Sequence, residues 1–296
     1  MTRIGTSDLD VFPLALGGNV FGWTADRGAS FEILDAFRGG GGNFIDTADS
    51  YSAWVPGHEG GESETIIGEW LARRGLRHDE GVTIATKVSQ HTQFRGLAAS
   101  NVRAAAEASL TRLGLDRIDL YYAHFDDPDT PLEETVAAFG ALVADGLVRY
   151  TAVSNYSADR VREWVRIARE LGVAEPVAIQ PHYNLVHRET ENDIVPVAEE
   201  LGLSLVPYFA LAKGFLTGKY RSTDATDGGH TSPRAEGAAK YATPQGLQIL
   251  DVLEHVADAH GVSVASAALA WLRAKPTVAA PIASASKASH VPDLLG

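Results

Sequence analysis

The chain has 296 residues, enough for two small domains or one large barrel, and its 45% hydrophobic fraction can fill a large core. Its 25 Lys and Arg against 38 Asp and Glu give a net charge of −13, which argues against general binding to nucleic acid or acidic membranes, though not against a small anion held by a local field. The absence of cysteine excludes disulfides, thiolate metal sites and a thiol nucleophile, and fits a cytoplasmic protein.

The start, MTRIGTSDLDVF, carries no long apolar run and does not read as a signal peptide. No stretch approaches the roughly 18 apolar residues of a membrane helix. In chain order, 12–18 (FPLALGG) reads as a strand ending in glycines, and 30–40 as a helix with Ser30 as N-cap. Strand 43–48 (NFIDTA) precedes helix 62–75, which gathers Ile66, Ile67, Trp70 and Leu71 on one face. Strand 82–88 (VTIATKV), helix 100–114, strand 118–124 (IDLYYAH) and helix 131–146 follow. Next come strand 149–155 (RYTAVSN), helix 157–172, strand 177–180 (VAIQ) and helix 190–202, with Pro196 as a kink. Strand 203–209 (LSLVPYF) leads into a polar stretch, 213–245. Helices 246–261 and 263–275, strand 278–283 (VAAPIA) and a helix from 286 to 295 complete the chain.

Strands alternate with helices throughout and no Pro/Ser-rich linker divides them, so the expectation is a single-domain (β/α)8 TIM barrel over 1–296. A doubly wound open sheet is the alternative, weakened because LGGNVFGW is not a G-x-G-x-x-G fingerprint.

Barrels of this type place their active sites at the C-terminal strand ends. There the sequence puts Asp46, with Tyr51 just beyond, then Lys87, His124, Ser154, Asn155, Gln180, Tyr208, Ser284, Ser286 and Lys287. Singly, most have ordinary readings: Asp46 as a turn former, Tyr51 as a loop aromatic, His124 as a structural histidine, Asn155 and Gln180 as loop ties. A lysine inside an apolar strand is harder to dismiss, because it needs a carboxylate or a route to the mouth. Together Asp46, Tyr51, Lys87 and His124 suit protonation of a carbonyl oxygen while another group supplies hydride. Tyrosine is too weak an acid at its ordinary pKa of about 10. A nearby ammonium would lower that value, a carboxylate would fix the ammonium, and the histidine would orient the carbonyl.

The stretches FIDTADSY (44–51), IATKV (84–88), DLYYAH (119–124), VSNY (153–156), QPHYNL (180–185), KGFLTGKY (213–220) and PIASASKASHVPDLL (281–295) resemble the aldo-keto reductase family, in its order and over almost the whole chain. The resemblance implies the barrel fold and NAD(P)H-dependent reduction of an aldehyde or ketone. It implies a catalytic tetrad of Asp46, Tyr51, Lys87 and His124, with Tyr51 as general acid. For the nicotinamide it implies Asp46, Ser154, Asn155 and Gln180, with Tyr208 stacking on the ring. It places Gly17, Gly18 and Asn19 near the cofactor, Leu211, Lys213 and Gly214 along the pyrophosphate, and Ser284, Ser286, Lys287, His290 and Asp293 at the adenosine end. A helix N-terminus there, with Ser286 and Lys287, favours NADP(H), with NAD(H) possible. The family's usual arginine pattern is absent from this segment. Two further departures are YFALAKG, where relatives carry Ser-Pro after the tyrosine, and the end at LLG, where relatives continue into a helix and a pocket-closing tail.

Trp23, Trp54, Phe125 and Tyr183 are candidates for the substrate wall, suiting a sugar, a ring ketone or an aromatic aldehyde. His58 and His91 read as surface residues, and no metal is expected. The alternative function is a redox-sensing, cofactor-binding subunit with slow turnover, as in channel-associated relatives. Fold alone would also allow an unrelated hydrolytic or isomerising barrel. No nucleic-acid or membrane partner is expected; the oligomeric state is open.

Overall fold

The computed structural model describes residues 1–76, 81–222 and 233–296. The polar stretch 213–245 therefore falls only partly within the described residues. Eight parallel strands form the sheet: β3 (Ala15–Gly17), β4 (Phe44–Asp46), β5 (Thr83–Val88), β6 (Ile118–Ala123), β7 (Val148–Ser154), β8 (Pro176–Gln180), β9 (Ser204–Leu205) and β10 (Ile282–Ala283). They pair in chain order, and β10 returns to β3. The circle closes where Leu205 N donates to Thr277 O at 2.7 Å, Ala279 N to Leu205 O at 2.9 Å and Ile282 N to Pro207 O at 2.8 Å. This is the expected (β/α)8 barrel.

Helices α1 (Arg27–Gly39), α2 (Glu62–Arg74), α3 (Ala99–Leu113), α4 (Leu132–Ala144), α5 (Ala158–Leu171) and α6 (Ile194–Leu201) follow the first six barrel strands. The short α7 (Ala235–Ala239) and then α8 (Pro244–His260) and α9 (Val264–Arg273) separate β9 from β10, and α10 (Val291–Leu295) ends the chain.

Several expectations shift. Asp26, not Ser30, caps α1: its carboxylate accepts from Ala29 N at 2.8 Å, and Ser30 lies a turn further in. Pro196 falls in the first turn of α6, where its missing N–H has no intrahelical partner to lose, so it makes no kink. The last two barrel strands are shorter than read. Pro207 and Pro281 lack a ladder donor and contribute only carbonyls, to Ile282 N and Ala15 N. The expected helix from 286 begins as a 3-10 turn, Ala288–His290, and Ser286 does not cap it.

An antiparallel hairpin not read from the sequence, β1 (Thr2–Arg3) with β2 (Asp10–Val11), seals the N-terminal end of the barrel. Its Ile4, Leu9 and Val11 pack with the inward residues Phe44, Ala85, Leu120 and Ala178. Gly5 makes this possible: it has φ +51, and a Cβ there would lie 2.3 Å from Val177 O.

Candidate active site

Side chains alternate across a strand, so the inward set can be read upward from the barrel core. Phe44, Ala85, Leu120, Tyr122, Ala152 and Ala178 point inward, while Ile45, Ile84, Val88, Tyr121, Val153 and Ile179 face the helices. Two residues further along their strands stand Asp46, Lys87, His124, Ser154 and Gln180. The same period of two thus lifts all five polar residues to the C-terminal mouth.

They meet there. Lys87, with no exposure, donates from Nζ to Asp46 Oδ2 at 2.6 Å, to Thr47 O at 2.7 Å and to Tyr51 OH at 3.1 Å. Gln180 Nε2 donates to the other Asp46 oxygen at 2.9 Å. The Tyr51 ring lies 6.2 Å from His124 and 6.2 Å from Trp54. Asn155, in the left-handed region at φ +57, donates to His124 O at 2.9 Å and accepts from Tyr208 OH at 2.8 Å. Ser154 Oγ donates to Gln180 O at 2.9 Å.

Burial pushes Tyr51 well above the usual tyrosine range, and the Asp46 carboxylate pushes the same way. This corrects the expectation that Lys87 draws the phenol down: burial, with the Asp46 carboxylate second, raises it instead. Burial also lowers Lys87, opposed by Asp46. Burial, then the Lys87 charge, holds His124 well below the usual histidine range, so its imidazole is neutral.

Behind this group lies a second acidic pair. Glu64 accepts from Thr86 Oγ1 at 2.5 Å and from Arg112 Nε at 2.6 Å. Asp49 is fully buried with no hydrogen-bond partner for either carboxyl oxygen, and burial followed by the Glu64 charge pushes its pKa well up. Burial thus favours the neutral form of its carboxyl.

A cavity of about 840 Å³ opens above Tyr51. Asp46, Tyr51, His124, Ser154, Asn155, Gln180 and Tyr208 line one part. Gly17, Asn19, Leu211, Lys213, Gly214, Ser284, Ser286, Lys287 and His290 are also among its lining residues, and so are the aromatics Trp23, Trp54 and Phe125. Trp23 meets Trp54 edge to face at 5.6 Å, and Trp54 and Phe125 are substantially exposed.

Three expected residues lie elsewhere. Tyr183 is buried away from the cavity, its hydroxyl on Glu191 at 2.6 Å and its ring against Trp271. Gly18 is buried behind the wall, its carbonyl accepting from Ser63 Oγ at 2.8 Å. Asp293 is exposed on α10 and does not line the cavity; its backbone carbonyl accepts from Ser266 Oγ at 2.7 Å. His91, read as a surface residue, is buried at 3% exposure beside Gly60 and Phe94. The sequence reading also missed Lys219, Tyr220 and Arg234, which line the cavity. Lys219 and Tyr220 stood within KGFLTGKY; Arg234 lies in an irregular stretch with no period to mark it.

Among the described residues lining the cavity, Lys213, Lys219, Arg234 and Lys287 are cationic, and Asp46 is the one acid, already held by Lys87. A basic cavity in a chain of net charge −13 fits a phosphate-bearing dinucleotide. The described residues hold no cluster able to bind a metal, and none of their helices is long and apolar enough to cross a membrane.

Comparison with known proteins agrees with this geometry. The model of the aldo/keto reductase family matches residues 13–296. An uncharacterized oxidoreductase of Bacillus subtilis, YrpG, is 35% identical over 95% of this chain and 85% of its own length. A probable voltage-gated potassium channel subunit beta of Oryza sativa is 31% identical over 98% of this chain and 88% of its own. An aryl-alcohol dehydrogenase [NADP(+)] of Phanerodontia chrysosporium is 32% identical over 96% of this chain and 77% of its own.

Proposed function

The chain belongs to the aldo/keto reductase family, and on that premise we propose that it is an NADP(H)-dependent reductase of aldehydes or ketones with Tyr51 as its proton donor. The observation that carries this reading is Lys87 Nζ, shared between Asp46 at 2.6 Å and Tyr51 OH at 3.1 Å, where Asp46 and Tyr51 line a basic cavity.

When bound, the reduced nicotinamide supplies hydride to the carbonyl carbon. Tyr51 holds its proton in the resting site, and because burial weakens it as an acid, giving that proton to the charged carbonyl oxygen depends on stabilising the phenolate left behind. As that proton leaves, the Lys87 ammonium stabilises the phenolate. Asp46 keeps Lys87 charged, and Gln180 keeps Asp46 in place. Neutral His124 directs the carbonyl oxygen toward Tyr51. Ser154, Asn155 and Gln180 would hold the nicotinamide amide, Tyr208 would lie against its ring, and Lys213, Lys219 and Lys287 would meet the phosphates. The lysine-rich end supports NADP(H) over NAD(H).

Trp23, Trp54 and Phe125 favour a ring ketone or an aromatic aldehyde over a sugar, in keeping with the name of the Phanerodontia relative. The channel-subunit relative keeps a second reading in view, a redox-sensing subunit with slow turnover. Titrating NADPH and NADH against protein fluorescence, then following cofactor absorbance with a carbonyl panel, separates the readings. Tight NADPH binding with substrate-dependent oxidation is expected. Tight binding without turnover on any carbonyl would favour the sensor, and no binding would overturn both.

A further inference from the structure

The tip of β8 carries more than Gln180. Two residues on, His182 forms a parallel bridge with Tyr208, and Tyr208 N donates to Pro181 O at 3.0 Å. The His182 ring lies near-parallel to Tyr208, with centroids 5.4 Å apart and planes 18° apart. His187 stacks on His182 at 3.6 Å and 10°. Among the described residues the cavity lining includes Tyr208 and neither histidine. Three flat rings thus form a column that ends at the cavity.

The column is tied at each level. Tyr208 OH donates to Asn155 Oδ1 at 2.8 Å. Asn184, fully buried, donates to Phe209 O at 2.9 Å and so fixes the residue after Tyr208, which sits in the left-handed region at φ +53. Tyr241 OH lies 3.1 Å from His182 Nε2, and Asn184 Nδ2 lies 3.4 Å from it. An amide nitrogen can only donate, so the network assigns Nε2 as the acceptor and leaves the proton on Nδ1. Burial, His187 and the Lys213 charge push His182 down to about 4, against the opposing Glu189 carboxylate. At neutral pH it is an uncharged flat ring, able to lie against His187 without repulsion.

We infer that His182 is a positioning residue: pressed between His187 and Tyr208, it holds the Tyr208 ring as the platform for the nicotinamide. The inference rests on the proposed role of Tyr208. A side chain carrying a stacking ring needs its own orientation fixed, because small displacements of a hydride donor cost rate steeply. Here that support is a second ring rather than a packed aliphatic.

Two replacements separate the ring from its hydrogen bonds. His182→Phe keeps a flat ring and loses the acceptor; His182→Gln keeps an acceptor and loses the ring. Tyr208→Ala tests the underlying reading. For each, NADPH and NADP+ dissociation constants are measured by fluorescence titration, hydride transfer by single turnover, and folding by thermal melting. Tyr208→Ala and His182→Gln should each weaken NADPH binding or slow hydride transfer about tenfold, while His182→Phe stays within about threefold of the wild type. Wild-type behaviour of His182→Gln alongside an impaired Tyr208→Ala overturns the inference alone. Phe impaired as much as Gln, with melting unchanged, also overturns it, in favour of the Tyr241 hydrogen bond. An unimpaired Tyr208→Ala overturns the reading on which it rests.

Discussion

Gln180 and Asp46 join across the barrel mouth, the amide of β8 donating to the carboxylate of β4 at 2.9 Å although 134 residues separate them. With Lys87 on the other oxygen, Asp46 is satisfied at both atoms while almost completely buried. A carboxylate in that position is costly unless paired and hydrogen-bonded. Much of the mouth's geometry follows from meeting that requirement.

Lys87→Met tests it. Removing the ammonium strands Asp46 in the barrel, and the loss should be about 3–5 kcal/mol of stability. Adding Asp46→Asn should return most of that stability without returning turnover. Denaturant unfolding of both variants alongside steady-state assays checks this; a double variant as unstable as the single would refute it.

Tyr51→Phe should behave oppositely. The fold and NADPH affinity persist, because the ring still packs against Trp54 and His124. Carbonyl reduction should fall by about 10²–10⁴-fold, the usual worth of a general acid. Wild-type turnover in this variant would remove Tyr51 from the mechanism.

Much of this was legible in the sequence because a period of two transmits position faithfully. Once FID and IATKV are strands, Asp46 and Lys87 must stand on one face, one step above Phe44 and Ala85. Legibility ends where the strands end. Tyr183 reads as a substrate-wall residue, but beyond the end of its strand its ring lies against Trp271, away from the cavity. His91 lies in a polar loop, yet the bare backbone of Gly60 leaves room for it inside. Arg234 belongs to a segment whose path no periodicity records. The N-terminal hairpin has two-residue strands, too short for any pattern.

Asp49 offers a pH test. Its folded-state pKa lies above its unfolded value, so the native chain holds the extra proton. Its contribution to stability is complete below the unfolded pKa, near 4, and is lost as pH rises toward the folded value. Asp49→Asn keeps the shape and removes the titration. Relative to the wild type it should gain stability steadily above about pH 4, read as a widening gap in unfolding midpoints. A gap constant from pH 4 to 8 would count against a buried neutral acid.

Trp54→Ala addresses the substrate. Loss of this exposed ring should raise KM for an aromatic aldehyde roughly five- to tenfold, about 1–1.4 kcal/mol. The KM for a short aliphatic aldehyde should barely move. Equal effects on both would assign Trp54 to general closure of the mouth.

The small hairpin at the far end turns the barrel from a tube into a cup. Ile4, Leu9 and Val11 form its base, packed beneath Phe44, Ala85 and Leu120. In the proposed reaction, carbonyl and alcohol would both pass on the side of the barrel where Trp54 and Phe125 stand, opposite the hairpin.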